Sequence, residues 1–288
     1  MNAFHENLIT PEEAITLDGL FARRLHRSPD GLAYQAFDRD SKSWFSLTWS
    51  EVAGQVARWQ QALTGEKLLP GDRVAVLLRN CPEWAIWDQA AMSLGLVTVP
   101  LYMDDRPDNI VYILEEAGVK ALLVQDAGRW KRLAPSLPVE GELQRVVLLT
   151  PGREAEKCAA NDDRVRLASE WLPDSAGEMK VRTGGEPNAL ASIVYTSGTT
   201  GRPKGVMLSH HNMLYVAHGG LTLLDVYEED IFLSFLPLSH TLERTAGYYL
   251  PIMSGSSVAF ARSVAQLAED LQHIRPTLMI AVPRLFER

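Results

Sequence analysis

Cysteine is scarce: Cys81 and Cys158 are the only two in 288 residues, too few for a disulfide framework and not at a metal-binding spacing. Both are therefore expected as free thiols in a reducing, cytoplasmic setting. Excess positive charge is also missing. A formal net charge of −8 argues against broad nucleic-acid binding, which needs a basic face to displace counterions from phosphates. Long apolar runs are absent too. The longest uncharged stretch, residues 245–261, is 17 residues long and contains Pro251, Gly255 and three serines, so it falls short of a spanning helix. It reads as helix, turn and strand inside a core. The opening run MNAFHENLITPEEAITLDGL carries acids where a secretory signal needs a basic start and an apolar stretch. No basic amphipathic helix demands a membrane surface, and no internal repeat or low-complexity tract is evident.

What is present describes a globular chain. Hydrophobic residues make up 46% and charged residues 22%, a balance that rules out disorder and fibrous structure, and the length allows one large domain or two ordinary ones. From Arg73 onward, short β-branched runs alternate with longer amphipathic ones, which predicts a parallel sheet with crossover helices. Strands are expected at 74–78, 96–101, 121–124, 146–149 and 191–195. Helices are expected at 82–94, with proline in the first turn and Gly95 at the end, and at 106–117, with residues 128–134 separating the strands 121–124 and 146–149. This is a doubly wound α/β lobe. Residues 150–187 are rich in proline, glycine and charge and read as an excursion with only short elements. A short extended segment at 206–209 and a helix at 210–224 follow. The alternation then resumes in a second lobe, with strands at 231–236, 258–261 and 278–282 and helices at 241–253 and 264–273.

The most informative run is YTSGTTGRPKGVMLSH, residues 195–210. Gly198 and Gly201 allow a tight turn that brings backbone N–H groups near an anion. Thr196, Ser197, Thr199 and Thr200 add short hydroxyl donors, and Lys204 brings a compact charge suited to polyphosphate. The spacing differs from a Walker loop, which needs four residues between its glycines and Ser or Thr directly after the lysine; here two residues intervene and Gly205 follows Lys204. A Gly/Thr-rich surface turn is the plain alternative. Its position after the apolar strand 191–195 favours a phosphate loop, because ligands of open α/β sheets sit beyond the carboxyl ends of strands.

Residues 195–210 resemble the phosphate-loop signature of adenylate-forming enzymes, the superfamily of acyl-CoA synthetases, adenylation domains and luciferases. LPLSHTLER at 236–244 and RPTLMIAVPRLFER at 275–288 resemble segments of the long-chain fatty acid CoA ligase branch. The resemblance extends more loosely over residues 16–288. It implies two doubly wound, mostly parallel α/β lobes of an adenylate-forming N-terminal domain, with residues 1–67 and 216–288 forming the second lobe and 68–215 the first. It also implies ATP, Mg2+ and coenzyme A as cofactor and co-substrates and a fatty acid as substrate. The carboxylate would attack the α-phosphate of MgATP, pyrophosphate would leave, and the coenzyme A thiol would attack the acyl-adenylate. Thr196, Ser197, Gly198, Thr199, Thr200, Gly201 and Lys204 would then hold the β and γ phosphates. His240 would face the carboxylate and thioester end of the site. A helix-start surface histidine is the plainer reading of that residue.

The resemblance sets a further expectation. In relatives the chain continues through a YGxTE-like run, a ribose-binding aspartate, a hinge and a small C-terminal domain, none of which occurs before Arg288. The chain is accordingly read as an N-terminal fragment with no metal ligands of its own, the Mg2+ ligands lying past Arg288, and it should not turn over alone. A fatty acyl-AMP ligase, a carrier-loading adenylation enzyme and a non-catalytic nucleotide-binding half-protein stay open as alternatives. So does peripheral contact with the inner face of a membrane, and no pattern selects an oligomeric state. Three further groups have structural readings. Trp84 and Trp87 are expected as core anchors, Asp104, Asp105 and Asp108 as caps of the helix after them, and Glu243 and Arg244 as ordinary charges of a first helical turn. The histidines His210, His211, His218 and His240 match no zinc spacing.

Overall fold

The computed structural model describes residues 7–138, 140–182, 184–196 and 201–283. Strands β1 (Leu32–Asp38), β2 (Ser43–Thr48), β3 (Arg73–Leu77), β4 (Val97–Pro100), β5 (Val119–Val124), β6 (Arg145–Leu148), β7 (Val165–Leu167), β8 (Leu190–Thr196), β9 (Lys204–Ser209), β10 (Ile231–Ser234) and β11 (Ser257–Phe260) form two sheets. Seven strands take the order β7-β6-β5-β3-β4-β8-β9, and four take the order β10-β11-β1-β2. Pairing is parallel throughout except for β9 against β8 and β2 against β1. The α/β class and the mostly parallel sheets are thus observed.

Period-two alternation distributes each strand between two cores. Val74 and Val76 of β3, with Ala121 and Leu123 of β5, face a helical layer shared by both sheets. Ala75, Leu77, Leu122 and Val124 face the opposite side, where they meet helices Pro107–Glu116 and Ala127–Leu133. On the smaller sheet, Phe232 and Val258 face the shared layer, while Leu233 and Ala259 pack with Leu267 and Ile274. The helix Pro82–Ser93 lies within this middle layer. All of its residues but Glu83 are buried, and its polar Asp88 and Gln89 are bonded within the layer to Arg244, Tyr249 and Tyr248. Trp84 and Trp87 are indeed core anchors, 1% and 0% exposed. Trp59 packs edge-on to Trp87 at 5.6 Å and to Trp171 at 5.8 Å, locking helix Trp49–Gly65 onto its neighbour.

Several local expectations need correction. The stretch 150–187 contains a nine-residue helix, Arg153–Asn161, and β7, which completes the sheet edge beside β6. Its helix buries only Ala155 and Cys158, and a three-residue strand is too short to show a period. The expected helix 241–253 is divided: an α-turn Thr241–Arg244, a π-turn Thr245–Tyr249 and a second α-segment Leu250–Ser254. The expected strand at 278–282 is reduced to a bridge between Leu278 and Phe232. Asp104, Asp105 and Asp108 do not cap the next helix. Its N-cap is Arg106 without a side-chain bond, and Asp105 instead accepts from the Arg106 amide and the Asn109 side chain. Among the described residues, both cysteines are free, no group of His, Cys, Asp or Glu could hold a metal ion, and no helix is long and apolar enough to cross a membrane.

Candidate active site

The Gly/Thr-rich run at residues 195–210 begins in the antiparallel pair of β8 and β9. Thr196 at the end of β8 pairs with Lys204 at the start of β9, and Tyr195 pairs with Gly205. Gly205 allows this close pairing, because a Cβ there would lie 2.8 Å from the Ile193 side chain and 3.1 Å from the Tyr195 ring. Gly201 has φ of +92°, a conformation that costs a non-glycine residue. Ser197, Gly198, Thr199 and Thr200 lie outside the described residues. Thr196, Gly201 and Lys204 are exposed, so the facing ends of β8 and β9 present the Thr196 hydroxyl and the Lys204 ammonium to solvent. Two contacts seat this run on helix Pro107–Glu116: the Tyr195 hydroxyl donates to Glu116, and the Arg202 guanidinium lies 5.0 Å over the Tyr112 ring. Arg202 is a second cation at the loop that motif reasoning passed over, since a cation one residue from proline carries no distinctive spacing.

His240 is the N-cap of the turn Thr241–Arg244. Its Nδ1 accepts the Leu242 amide at 3.2 Å, which leaves the proton of the neutral ring on Nε2 and fixes how the exposed imidazole is presented. The segment leading to it is held by Asn80, which follows β3. Asn80 Nδ2 donates to Ser234 Oγ at 2.9 Å and to the Leu236 carbonyl at 2.6 Å, and its Oδ1 accepts the Leu238 amide at 3.0 Å. The carboxyl end of β3 in the large sheet is thereby tied to the carboxyl end of β10 in the small one.

Glu243 and Arg244 are not the ordinary surface charges expected of a first turn. Arg244 is fully buried and pairs with Asp88 at 2.5 Å, also fully buried. Glu243 is 1% exposed, and no described donor reaches its carboxylate oxygens in hydrogen-bond geometry. Burial pushes its carboxyl up to about 7, with the Ser234 hydroxyl pulling part of the way back. The carboxyl occupies the space where Gly247 has no side chain, since a Cβ there would stand 2.6 Å from Oε1. Gly247→Ala should therefore destabilise the chain by about 1–3 kcal/mol, the usual cost of overpacking. Urea unfolding would show this as a lowered midpoint, and an unchanged midpoint would mean the carboxyl has room to move.

His210, which closes the motif run, has a structural role. Its buried Nδ1 accepts the Leu17 amide at 3.2 Å, and burial, with Arg182 and Arg244 nearby, lowers its pKa to about 4. The ring is neutral at ordinary pH, as that acceptor role requires.

The model for the AMP-binding enzyme family matches residues 21–288. The chain belongs to that family. Among its relatives, it is 31% identical over 288 residues to long chain acyl-CoA synthetase 1 of Arabidopsis thaliana, covering 96% of this chain and 43% of that protein. It is also 31% identical over 268 residues to the long-chain-fatty-acid–CoA ligase ACSBG2 of Gallus gallus, covering 88% and 34% respectively. The chain thus spans about two fifths of the length of these curated relatives. Two solved structures share the fold. A fatty acyl CoA synthetase of Mycobacterium tuberculosis superposes with TM-score 0.78 at 22% identity, over 96% of this chain and 51% of that one. The O-succinylbenzoate coenzyme A synthetase of Bacillus subtilis, solved with ATP and magnesium ion, gives 0.73 at 21% identity, over 93% and 64%. The α/β architecture is therefore that of the N-terminal part of AMP-binding enzymes.

Proposed function

We propose that this chain supplies the phosphate-binding part of an ATP-dependent long-chain fatty acid CoA ligase. In this reading Thr196, Gly201 and Lys204, with Ser197, Gly198, Thr199 and Thr200 of the same run, hold the β and γ phosphates of ATP. His240 addresses the reacting carboxylate and, later, the thioester. The observation that carries the reading is the register of β8 and β9, which sets Lys204 across from Thr196 at the carboxyl end of β8. Names of relatives in the long-chain synthetase branch support the substrate class, and the ATP complex of a structural relative supports the nucleotide. Residues 68–215 are assigned to one lobe, and 1–67 with 216–288 to the other; the grouping of β3–β9 in one sheet and β1, β2, β10 and β11 in the second supports this division. Among the described residues no group of three or more His, Cys, Asp or Glu could hold a metal ion, and no metal-dependent step is assigned to them.

Adenylation in this scheme places negative charge on the leaving pyrophosphate, which a mobile ammonium and hydroxyl donors stabilise and then release. Calorimetric titration of ATP into the chain and into its Lys204→Ala variant tests the assignment. Loss of one charge-assisted contact should weaken binding about tenfold, and equal affinity would argue against it. The substrate class is tested by pyrophosphate release from the gene product containing this chain, using acids of increasing length. Turnover with long-chain acids and transfer to coenzyme A is expected. Pyrophosphate release without a coenzyme A thioester would redirect the reading to an acyl-AMP-forming relative.

A further inference from the structure

Arg244 makes three hydrogen bonds to three different side chains, one from each of its nitrogens. Its Nη2 donates to Asp88 on helix Pro82–Ser93 and its Nε to the Tyr249 hydroxyl at 3.1 Å. Its Nη1 donates to Ser192 Oγ on β8 at 2.6 Å. Two hydroxyls close the circuit: Ser192 donates to the Thr98 carbonyl of β4 at 2.7 Å, and Tyr249 donates to the second Asp88 oxygen at 2.6 Å. The guanidinium plane also lies 5.2 Å from the Trp84 ring and 5.7 Å from the Tyr249 ring. The π-turn Thr245–Tyr249 carries Tyr249; such single-turn bulges inside α-helices occur frequently at functional sites.

Location gives this network its meaning. Ser192 lies four strand residues before Thr196, roughly 13 Å at about 3.3 Å per residue. In the other direction Arg244 stands one helical turn beyond His240, and its amide donates to the His240 carbonyl at 3.0 Å. One buried cation therefore touches both the strand that enters the phosphate loop and the turn that presents the imidazole. Lysine would keep the charge but not this geometry, because its compact ammonium cannot spread its donors over three separate nitrogens as the planar guanidinium does.

We propose that Arg244 is a positioning residue that holds the phosphate-loop strand β8 and the His240 turn in one fixed geometry, with Ser192 as its link to the nucleotide end. Its effect on nucleotide binding rests on the adenylation reading; the mechanical link does not. Ser192→Ala removes the Arg244 link to β8 together with the Ser192–Thr98 hydrogen bond and leaves the Asp88–Arg244–Tyr249 contacts in place. Arg244→Lys keeps the charge and loses the fork.

Hydrogen exchange followed by mass spectrometry on the whole chain tests the link, with peptides covering residues 190–196 and 236–244 and a reference peptide in β5. Both variants should exchange about tenfold faster in the two test segments while β5 keeps its protection, as expected of local rather than global opening. Calorimetry should show ATP affinity reduced several-fold in Ser192→Ala. The proposal is overturned if faster exchange is confined to one segment, if β5 loosens equally, or if Ser192→Ala binds ATP as wild type does. A wild-type chain that binds no ATP would remove the adenylation reading, and the exchange pattern would still decide the mechanical link by itself.

Discussion

Arg244→Met should lower the melting temperature of this chain by roughly 10 °C. Truncating one partner of a buried ion pair costs about 3–5 kcal/mol because the other charge stays uncompensated, and a chain of this size loses about 2–4 °C per kcal/mol. Here the stranded group is the Asp88 carboxylate, fully buried on helix Pro82–Ser93. Burial alone would depress the guanidinium pKa, yet Asp88, Tyr249 and Tyr248 together raise it, so the guanidinium stays charged in the native state. Adding Asp88→Asn to Arg244→Met should recover most of the loss, since a neutral amide still accepts from Tyr249 and no bare charge remains. Scanning calorimetry of the two single variants and the double variant gives the coupling directly. A single-variant loss below about 1 kcal/mol would mean that Asp88 is compensated by other groups.

The second large effect is a pair of opposed pH dependences. His210 falls from an ordinary 6.5 to about 4 on folding. Between those values the unfolded chain binds a proton that the native one does not, so this histidine makes stability rise with pH from about 4 to 6.5. Glu243 runs the other way, from 4.5 up to about 7. The native chain keeps a proton that the unfolded chain has released, and stability from this group falls as pH rises through that interval. Each displacement corresponds to about 3 kcal/mol. Their windows overlap, so the two contributions largely cancel in the wild type between about pH 4.5 and 6.5. Removing either should expose the other: Glu243→Gln should become steadily more stable as pH rises toward 6.5, and His210→Gln steadily less stable as pH rises toward 7. Urea titrations at half-unit pH intervals would show the two slopes. Parallel profiles for both variants would mean that at least one group is not held neutral in the native state.

Much of the architecture was legible in local sequence. The β-branched runs that became β3, β4, β5, β6 and β8 stand within one or two residues of where periodicity placed them, because burial on both faces of a parallel strand selects apolar residues continuously. Pro82 at the first position of its helix did likewise. Local pattern failed where few apolar side chains carry an element, as in helix Arg153–Asn161, and where a helix departs from α geometry, as at Thr245–Tyr249. Backbone hydrogen-bond register leaves no compositional mark there.

The Gly/Thr-rich run at residues 195–210, the α/β alternation and the tryptophan anchors were determined by the sequence itself, since each depends on residues that are neighbours along the chain. The circuit around Arg244 was decided only by the tertiary structure. Asp88 and Arg244 are 156 positions apart, and Asn80 stands 154 from Ser234. At such separations a charge in a helical first turn reads the same whether it faces solvent or a buried carboxylate, and only the packing of two sheets about one helical layer distinguishes them.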